Sequence, residues 1–105
     1  MLFISDTSVL IDIEKGELTR ALFSLPYQFA VPDVLFFEEL AERHGSLLEF
    51  GLIKRTMSGE LIAEAYSFRQ KYLKVSVNDL LALVLAKHES CQLLTGDKAL
   101  RHVAE

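Results

Sequence analysis

The sequence predicts an α/β fold, a three-layer sandwich in which helices cover both faces of a central parallel sheet. Short apolar stretches alternate along the chain with segments whose apolar residues recur at helical spacing. Strands that are separated by helices favour parallel pairing. In addition, every residue from Leu80 to Ala86 is apolar, so the helix that contains them should be buried nearly all round.

The first half of the chain is predicted to form two strands and three helices. Gly16 interrupts the first helix, Pro26 stops the second, and Pro32 opens a third that should run to about Arg43. Phe36 and Phe37 lie in the third helix and are expected in the core. The predicted strands are residues 1–5 and 28–31.

The second half is predicted to form two further strands and three further helices. Ser58 can cap a helix that runs to about Tyr72, and Ser76 can cap the apolar helix that ends near His88. The predicted strands are residues 52–56, where Lys54 and Arg55 weaken the pattern, and residues 92–95. A turn at residues 96–97 leads into a last helix from Lys98.

Composition predicts one globular domain over residues 1–105, in the cytoplasm. Half of the residues are hydrophobic, a quarter are charged, and there is one cysteine, which excludes an internal disulfide. The apolar N-terminus is too short for a signal peptide, and no membrane association is expected. The net charge of −4 argues against nucleic-acid binding by a basic surface. If the protein handles RNA, bound metal ions should neutralise the phosphates.

Two aspartates follow predicted strands directly. Asp6 comes after the first strand and Asp97 after the last. Because ligands of open α/β sheets bind beyond the carboxyl ends of the strands, both aspartates are candidates for one site. Each is equally compatible with a helix N-cap or an Asx turn.

Acidic residues also occur at two predicted helices. Asp79 lies in the first turn of the apolar helix, where Ser76 and Asp79 also fit a capping box. Glu38 and Glu39 lie in the third helix about 100° apart, so at most one should face a site, and a solvated face is the ordinary alternative. Converging carboxylates without Cys or His partners suit Mg²⁺ or Mn²⁺, and such ions can promote phosphodiester cleavage.

Four segments together resemble the PIN-domain family, in the family's order and over nearly the whole chain. Ser5 to Asp12 resembles the family's first acidic motif, and the Glu39-Leu40 dipeptide resembles its Glu-Leu, although counting from the helix start selects Glu38. The segments at Asp79 and Asp97 resemble the third and fourth motifs. Thr95 stands at the family's supporting hydroxyl position.

The resemblance implies a ribonuclease site. Its catalytic residues would be Asp6, Glu39, Asp79 and Asp97, of which the three aspartates would bind Mg²⁺ or Mn²⁺. Arg101, one helical turn beyond Asp97, is the best candidate for phosphate contact, the alternative being a solvated face. The implied activity is metal-dependent cleavage of single-stranded RNA, by the toxin of a toxin–antitoxin pair. The expected partners are RNA, an antitoxin protein and further copies of the chain.

Three alternatives and one departure accompany this prediction. A non-catalytic module that keeps the fold and binds a partner protein is the main alternative. Haloacid-dehalogenase-type phosphatases are disfavoured, because they start with Asp-x-Asp where this chain has Asp6-Thr7-Ser8. Receiver domains are disfavoured too, because they need an acidic pair beside the first strand and this sequence has none there. Members of the PIN family usually continue into another strand and helix beyond the last Asp, whereas this sequence stops at Glu105. Truncation at the C-terminus, proteolysis and a short natural variant are all compatible with this departure.

Overall fold

The computed structural model describes residues 1–95, so Asp97 and Arg101 lie outside the described residues. Strands and helices alternate along this part of the chain, as predicted. The strands are β1 (Leu2–Ser5), β2 (Gln28–Pro32), β3 (Ile53–Arg55) and β4 (Gln92–Leu94). The helices are α1 (Thr7–Lys15), α2 (Thr19–Phe23), α3 (Asp33–Leu35), α4 (Ala41–His44), α5 (Gly59–Lys71) and α6 (Val77–His88).

The four strands form one parallel sheet in the order β3-β2-β1-β4. The central strand β1 pairs with β2 on one side and with β4 on the other, and Ile4 lies between Ala30 and Leu93. The predicted α/β class and the parallel central sheet are therefore confirmed. This strand order brings the carboxyl ends of β1 and β4 side by side, although the two strands are separated by most of the chain.

Side chains of β2 alternate between two hydrophobic cores, one on each face of the sheet. Ala30 packs in the core that contains α5 and α6, while Phe29 and Val31 pack in the core that contains Leu10 and Leu40. Because successive side chains of a strand point to opposite faces, this alternation requires helices on both sides. The three-layer arrangement follows from it.

Helix α6 is the most buried helix among the described residues. Its N-cap Ser76 accepts a hydrogen bond from the Asp79 backbone N–H at 3.2 Å, and Leu80 to Ala86 are all buried. The prediction that this helix is largely buried is confirmed, although Lys87 and His88 at its end are exposed. No helix within residues 1–95 is long and apolar enough to cross a membrane.

The third predicted helix is not regular. Between α3 and α4 the backbone forms a π-helical turn, Phe36–Leu40, in which the Ala41 N–H donates to the Phe36 carbonyl. An i→i+5 turn holds one residue more than an α-turn, so side chains beyond it depart from α-helical periodicity.

The neighbouring phenylalanines of this turn have different environments. Phe36 is 3% exposed, whereas Phe37 is 64% exposed, with the Lys54 ammonium 4.9 Å from its ring centroid. The prediction that Phe37 lies in the core was therefore wrong. Its ring is instead available for a cation–π contact at the surface.

Candidate functional site

Asp6 is a buried carboxylate at the end of β1. Its side chain is 3% exposed, and its backbone N–H donates to the Leu94 carbonyl at 3.0 Å, which extends the β1–β4 pairing by one residue. Carboxylate Oδ1 accepts from the Val9 N–H at 2.9 Å and so caps α1. The N-cap role considered from the sequence is therefore real, but it occupies one carboxylate oxygen only.

The second oxygen of Asp6 faces the end of β4. Thr95 Oγ1 donates to Asp6 Oδ2 at 2.5 Å, although the two residues are 89 positions apart in the chain. The pairing of Ser5 with Leu94 places the two strand ends next to each other and makes this contact possible. Thr95, predicted to support the site, thus lies directly against the first predicted carboxylate.

Glu39 points from the π-helical turn toward the same edge of the sheet. Its Oε2 accepts from Thr7 Oγ1 at 2.7 Å, and its Oε1 accepts from Asn78 Nδ2 at 2.7 Å. Glu38 is exposed, so the two adjacent glutamates face different surroundings. Of the two glutamates, Glu39 is the one linked to Asp6, because it accepts a hydrogen bond from Thr7, the residue that directly follows Asp6.

Asp79 lies half-buried in the first turn of α6, one residue beyond Asn78. Its N–H bond to the Ser76 hydroxyl is half of the capping box that the sequence suggested. Asp79 is thus next in sequence to a residue that touches Glu39 directly. Asp97 and Arg101 lie outside the described residues.

These contacts form one continuous chain of neighbours across the carboxyl edge of the sheet. The chain runs from the end of β4, through Asp6, the start of α1 and the π-helical turn, to the start of α6. Its members in spatial order are Thr95, Asp6, Thr7, Glu39, Asn78 and Asp79. The ends of β1 and β4, the starts of α1 and α6, and the π-helical turn therefore meet at this edge of the sheet.

Within residues 1–95, the hydrogen-bond donors to the Asp6 and Glu39 carboxylates are all electrically neutral. Among residues 1–95 the ion pairs are Glu14 with His44 and Glu89 with Arg55, and neither includes Asp6 or Glu39. A buried carboxylate without a positive partner is costly. Since the available ligand atoms are oxygens, the donor set fits a hard divalent cation such as Mg²⁺ or Mn²⁺.

The described residues do not complete such a metal site. Within residues 1–95, no group of three or more His, Cys, Asp or Glu side chains is close enough to hold one ion. The sequence assigns a further carboxylate to Asp97, which lies outside this range. A full set of protein ligands would therefore need a contribution from beyond Thr95.

Sequence reasoning missed two residues of this edge, Thr7 and Asn78. Each is adjacent in sequence to a predicted acidic residue, Thr7 after Asp6 and Asn78 before Asp79. Their adjacency was a usable signal, but their shared partner Glu39 lies 32 and 39 positions away from them. Only the packing of α1, the π-helical turn and α6 identifies what they contact.

Comparison with known proteins agrees with this architecture. The sequence model of the PIN domain family matches residues 36–105, which is more than half of the chain. The fold is similar to a chain in a solved structure described as "Toxin-antitoxin complex from Klebsiella pneumoniae", with a TM-score of 0.66 and 24% identity over 90% of this chain and 85% of that chain. At this identity the likeness shows the fold. No curated protein matches the sequence.

Proposed function

The chain belongs to the PIN domain family, and we propose that it is a metal-dependent endoribonuclease that hydrolyses phosphodiester bonds of single-stranded RNA. One observation carries the proposal. The buried Asp6 and the half-buried Glu39 are linked through Thr7 at one edge of the sheet, and neither has a cationic partner among residues 1–95. In this arrangement Asp6 is suited to hold a bound cation, and Glu39 is suited to act on a water that the cation binds.

Asp6, Asp79 and Asp97 are the residues that would hold Mg²⁺ or Mn²⁺ in this proposal. When bound, the ion supplies a water of lowered pKa and positive charge opposite the phosphate. Asp6 contributes a carboxylate that is fixed by two hydrogen bonds, one from the Val9 N–H and one from Thr95 Oγ1. A preorganised ligand of this kind needs little rearrangement on binding.

Glu39 is the residue that would act on the attacking water. Within residues 1–95, each of its carboxylate oxygens accepts one hydrogen bond, from Thr7 or from Asn78. Since a carboxylate oxygen can accept two, one acceptor position remains on each side. Glu39 can therefore orient a water and take its proton without losing its contacts to the protein.

The acidic character of the chain makes the metal doubly useful. At a net charge of −4 the protein repels RNA at long range. A divalent ion held by Asp6, Asp79 and Asp97 would offset the mutual repulsion of these carboxylates and would supply positive charge for a phosphate. Arg101 is proposed to assist by contacting a neighbouring phosphate.

We further propose that the protein is the toxin of a toxin–antitoxin pair and acts in the cytoplasm. The structurally similar chain from Klebsiella pneumoniae belongs to a toxin–antitoxin complex, which supports an antitoxin protein as partner. Assembly with further copies of the chain belongs to the same proposal. Co-expression with a candidate antitoxin, followed by purification of the pair, tests the antitoxin relationship.

Cleavage of labelled RNA tests the enzymatic proposal. The purified chain is incubated with single-stranded RNA and with the same RNA annealed to its complement, in Mg²⁺, Mn²⁺ or EDTA. Cleavage of the single strand in Mg²⁺ or Mn²⁺, and its loss in EDTA, is expected. Equal cleavage in EDTA would show a metal-independent or contaminating activity and would contradict the proposal.

Partner binding without catalysis is the second candidate, and one observation favours it. Residues of α1 and α2, with Leu18 and Leu25, line an apolar groove of about 300 Å³, and both leucines are exposed. Exposed apolar grooves commonly bind protein partners. A folded chain that captures an antitoxin but leaves RNA intact in Mn²⁺ would establish this alternative.

A further inference from the structure

The contact between Asn78 and Glu39 joins two elements that the sequence separates by 39 positions. Asn78 Nδ2 donates to Glu39 Oε1 at 2.7 Å, and both side chains are half-buried. An ionised carboxylate only accepts hydrogen bonds, so the amide must present its nitrogen and not its oxygen. The contact is thus directional, and a side chain without an N–H or O–H donor cannot take the place of Asn78.

We propose that Asn78 is a positioning residue that orients the Glu39 carboxylate toward the metal and its water. The inference rests on the proposed nuclease function. Asn78 itself touches neither substrate nor ion in this proposal, and acts through Glu39. Thr7 holds the other carboxylate oxygen, so the two donors together fix both the position and the rotation of the carboxylate group.

Glu39 needs external donors because its helix does not fix its direction. A glutamate side chain has three rotatable bonds, and ordering it costs conformational entropy. In addition, Glu39 lies in the π-helical turn, where α-helical periodicity does not apply. A hydrogen bond to each carboxylate oxygen selects one orientation from those otherwise available.

The start of α6 is a suitable place for such a donor. Leu80 to Ala86 anchor α6 in the core, so its first turn is held by a rigid element. Asn78 and Asp79 are consecutive residues in that turn. The backbone that positions Asp79 therefore also positions the amide that holds Glu39, which couples two of the proposed catalytic carboxylates.

The neutrality of the amide matters for the proposed chemistry. A lysine or arginine could also orient Glu39, but its positive charge would compete with the metal ion for the carboxylate. Asn78, Thr7 and Thr95 each donate a hydrogen bond without adding charge. The negative charge of the site is thus kept available for a cation.

Manganese affinity, measured by calorimetry on the full chain, tests the role of Asn78. Asn78→Leu keeps the approximate size of the side chain but removes the donor, and Asn78→Ala removes the donor without adding a branched group. Both changes should weaken Mn²⁺ binding by about 10-fold or more, because Glu39 would hold the ion through its bound water. This is the lower end of the 10–100-fold effect that is typical of residues that orient metal-site groups. RNA cleavage at saturating Mn²⁺ should fall as well. Circular dichroism establishes that each variant is folded.

The same Asn78 changes made in a Glu39→Gln background separate positioning from other effects. If Asn78 acts through Glu39, its removal should weaken Mn²⁺ binding no further once the carboxylate has gone. Ser58→Ala is the matched structural control, since Ser58 caps the neighbouring helix α5 with a bond to the Leu61 N–H at 3.2 Å. That variant should lose some thermal stability and keep its Mn²⁺ affinity.

Two results would overturn the role of Asn78 alone. One is wild-type Mn²⁺ affinity and cleavage in both Asn78 variants. The other is a loss of affinity that is equally large with Glu39 and with Gln at position 39, because Asn78 would then act independently of the carboxylate. If the wild-type chain neither binds Mn²⁺ nor cleaves RNA, the proposed function fails, and the role of Asn78 fails with it.

Discussion

Thr7 Oγ1 donates a hydrogen bond to Glu39 Oε2 at 2.7 Å and so ties the first turn of α1 to the π-helical turn. Thr7 directly follows Asp6, whose carboxylate caps the same helix α1. The Asp6 carboxylate and the hydroxyl that binds Glu39 therefore belong to adjacent residues at the start of α1. Any movement of α1 relative to the π-helical turn would therefore change the distance between the Asp6 and Glu39 carboxylates.

Replacement of the two neighbouring glutamates should have unequal effects. Glu39→Gln keeps the size of the side chain but removes the charge and the proton acceptor, so RNA cleavage should fall by about 10²–10⁴-fold, the usual contribution of a general base. Glu38→Gln alters an exposed residue and should leave cleavage unchanged. Single-turnover cleavage in Mn²⁺ measures both rates. An equal or larger loss from Glu38→Gln would contradict the assignment of Glu39.

Asp6→Asn should separate helix capping from metal binding. Asparagine caps helices about as well as aspartate, so thermal stability in EDTA should stay near that of the wild type. With Mn²⁺ at 100 times its Kd, the wild type should gain about 2.7 kcal/mol of stability, and Asp6→Asn should lose most of that gain. Differential scanning calorimetry with and without Mn²⁺ provides the comparison.

Asp6→Ala is the companion variant for that experiment. It removes the cap as well as the charge, so it should cost about 1 kcal/mol of stability in EDTA. A wild-type response to Mn²⁺ in Asp6→Asn would show that Asp6 serves only as a cap.

Thr95→Val should destabilise the site while keeping the shape of the side chain. It removes the hydroxyl that donates to Asp6 Oδ2, and Asp6 is buried. Leaving a buried acceptor without its donor costs about 1–3 kcal/mol. Thr56→Val is the matched control, because Thr56 is exposed and should tolerate the change. Thr95→Ser retains the hydroxyl and should keep most of the wild-type stability. Equal losses of stability in Thr95→Val and Thr95→Ser would argue against this role of Thr95.

Leu80→Ala tests the burial of α6, on which the positions of Asn78 and Asp79 depend. Leu80 is fully buried, and removal of a buried leucine side chain costs about 2–5 kcal/mol. Leu73→Ala is the control, since Leu73 is 70% exposed and its truncation should have little effect. Urea denaturation followed by circular dichroism measures both. Similar unfolding free energies for the two variants would mean that α6 is not packed as described.

Most of the fold could be predicted because its signals are local. Apolar periodicity indicated the helices, Ser58 and Ser76 indicated two helix starts, and the run from Leu80 to Ala86 indicated a buried helix. The π-helical turn could not be predicted in this way. Phe36 and Leu40 of this turn pack in one core with Leu10 of α1 and Val31 of β2, and intrinsic helix propensity does not report such packing.

For the candidate site, the sequence by itself determined which chemical groups were available and in which elements they lay. It placed Asp6 after a strand, Thr95 at a strand end and Asp79 at a helix start. Only the tertiary structure decided which of these groups touch, because hydrogen bonds between residues 32 to 89 positions apart depend on strand order and helix packing. The β1–β4 pairing brought Thr95 to Asp6, and the meeting of α1, the π-helical turn and α6 gave Glu39 its two donors. No local pattern encodes these contacts, since each forms only when distant segments bury their apolar faces against the same sheet.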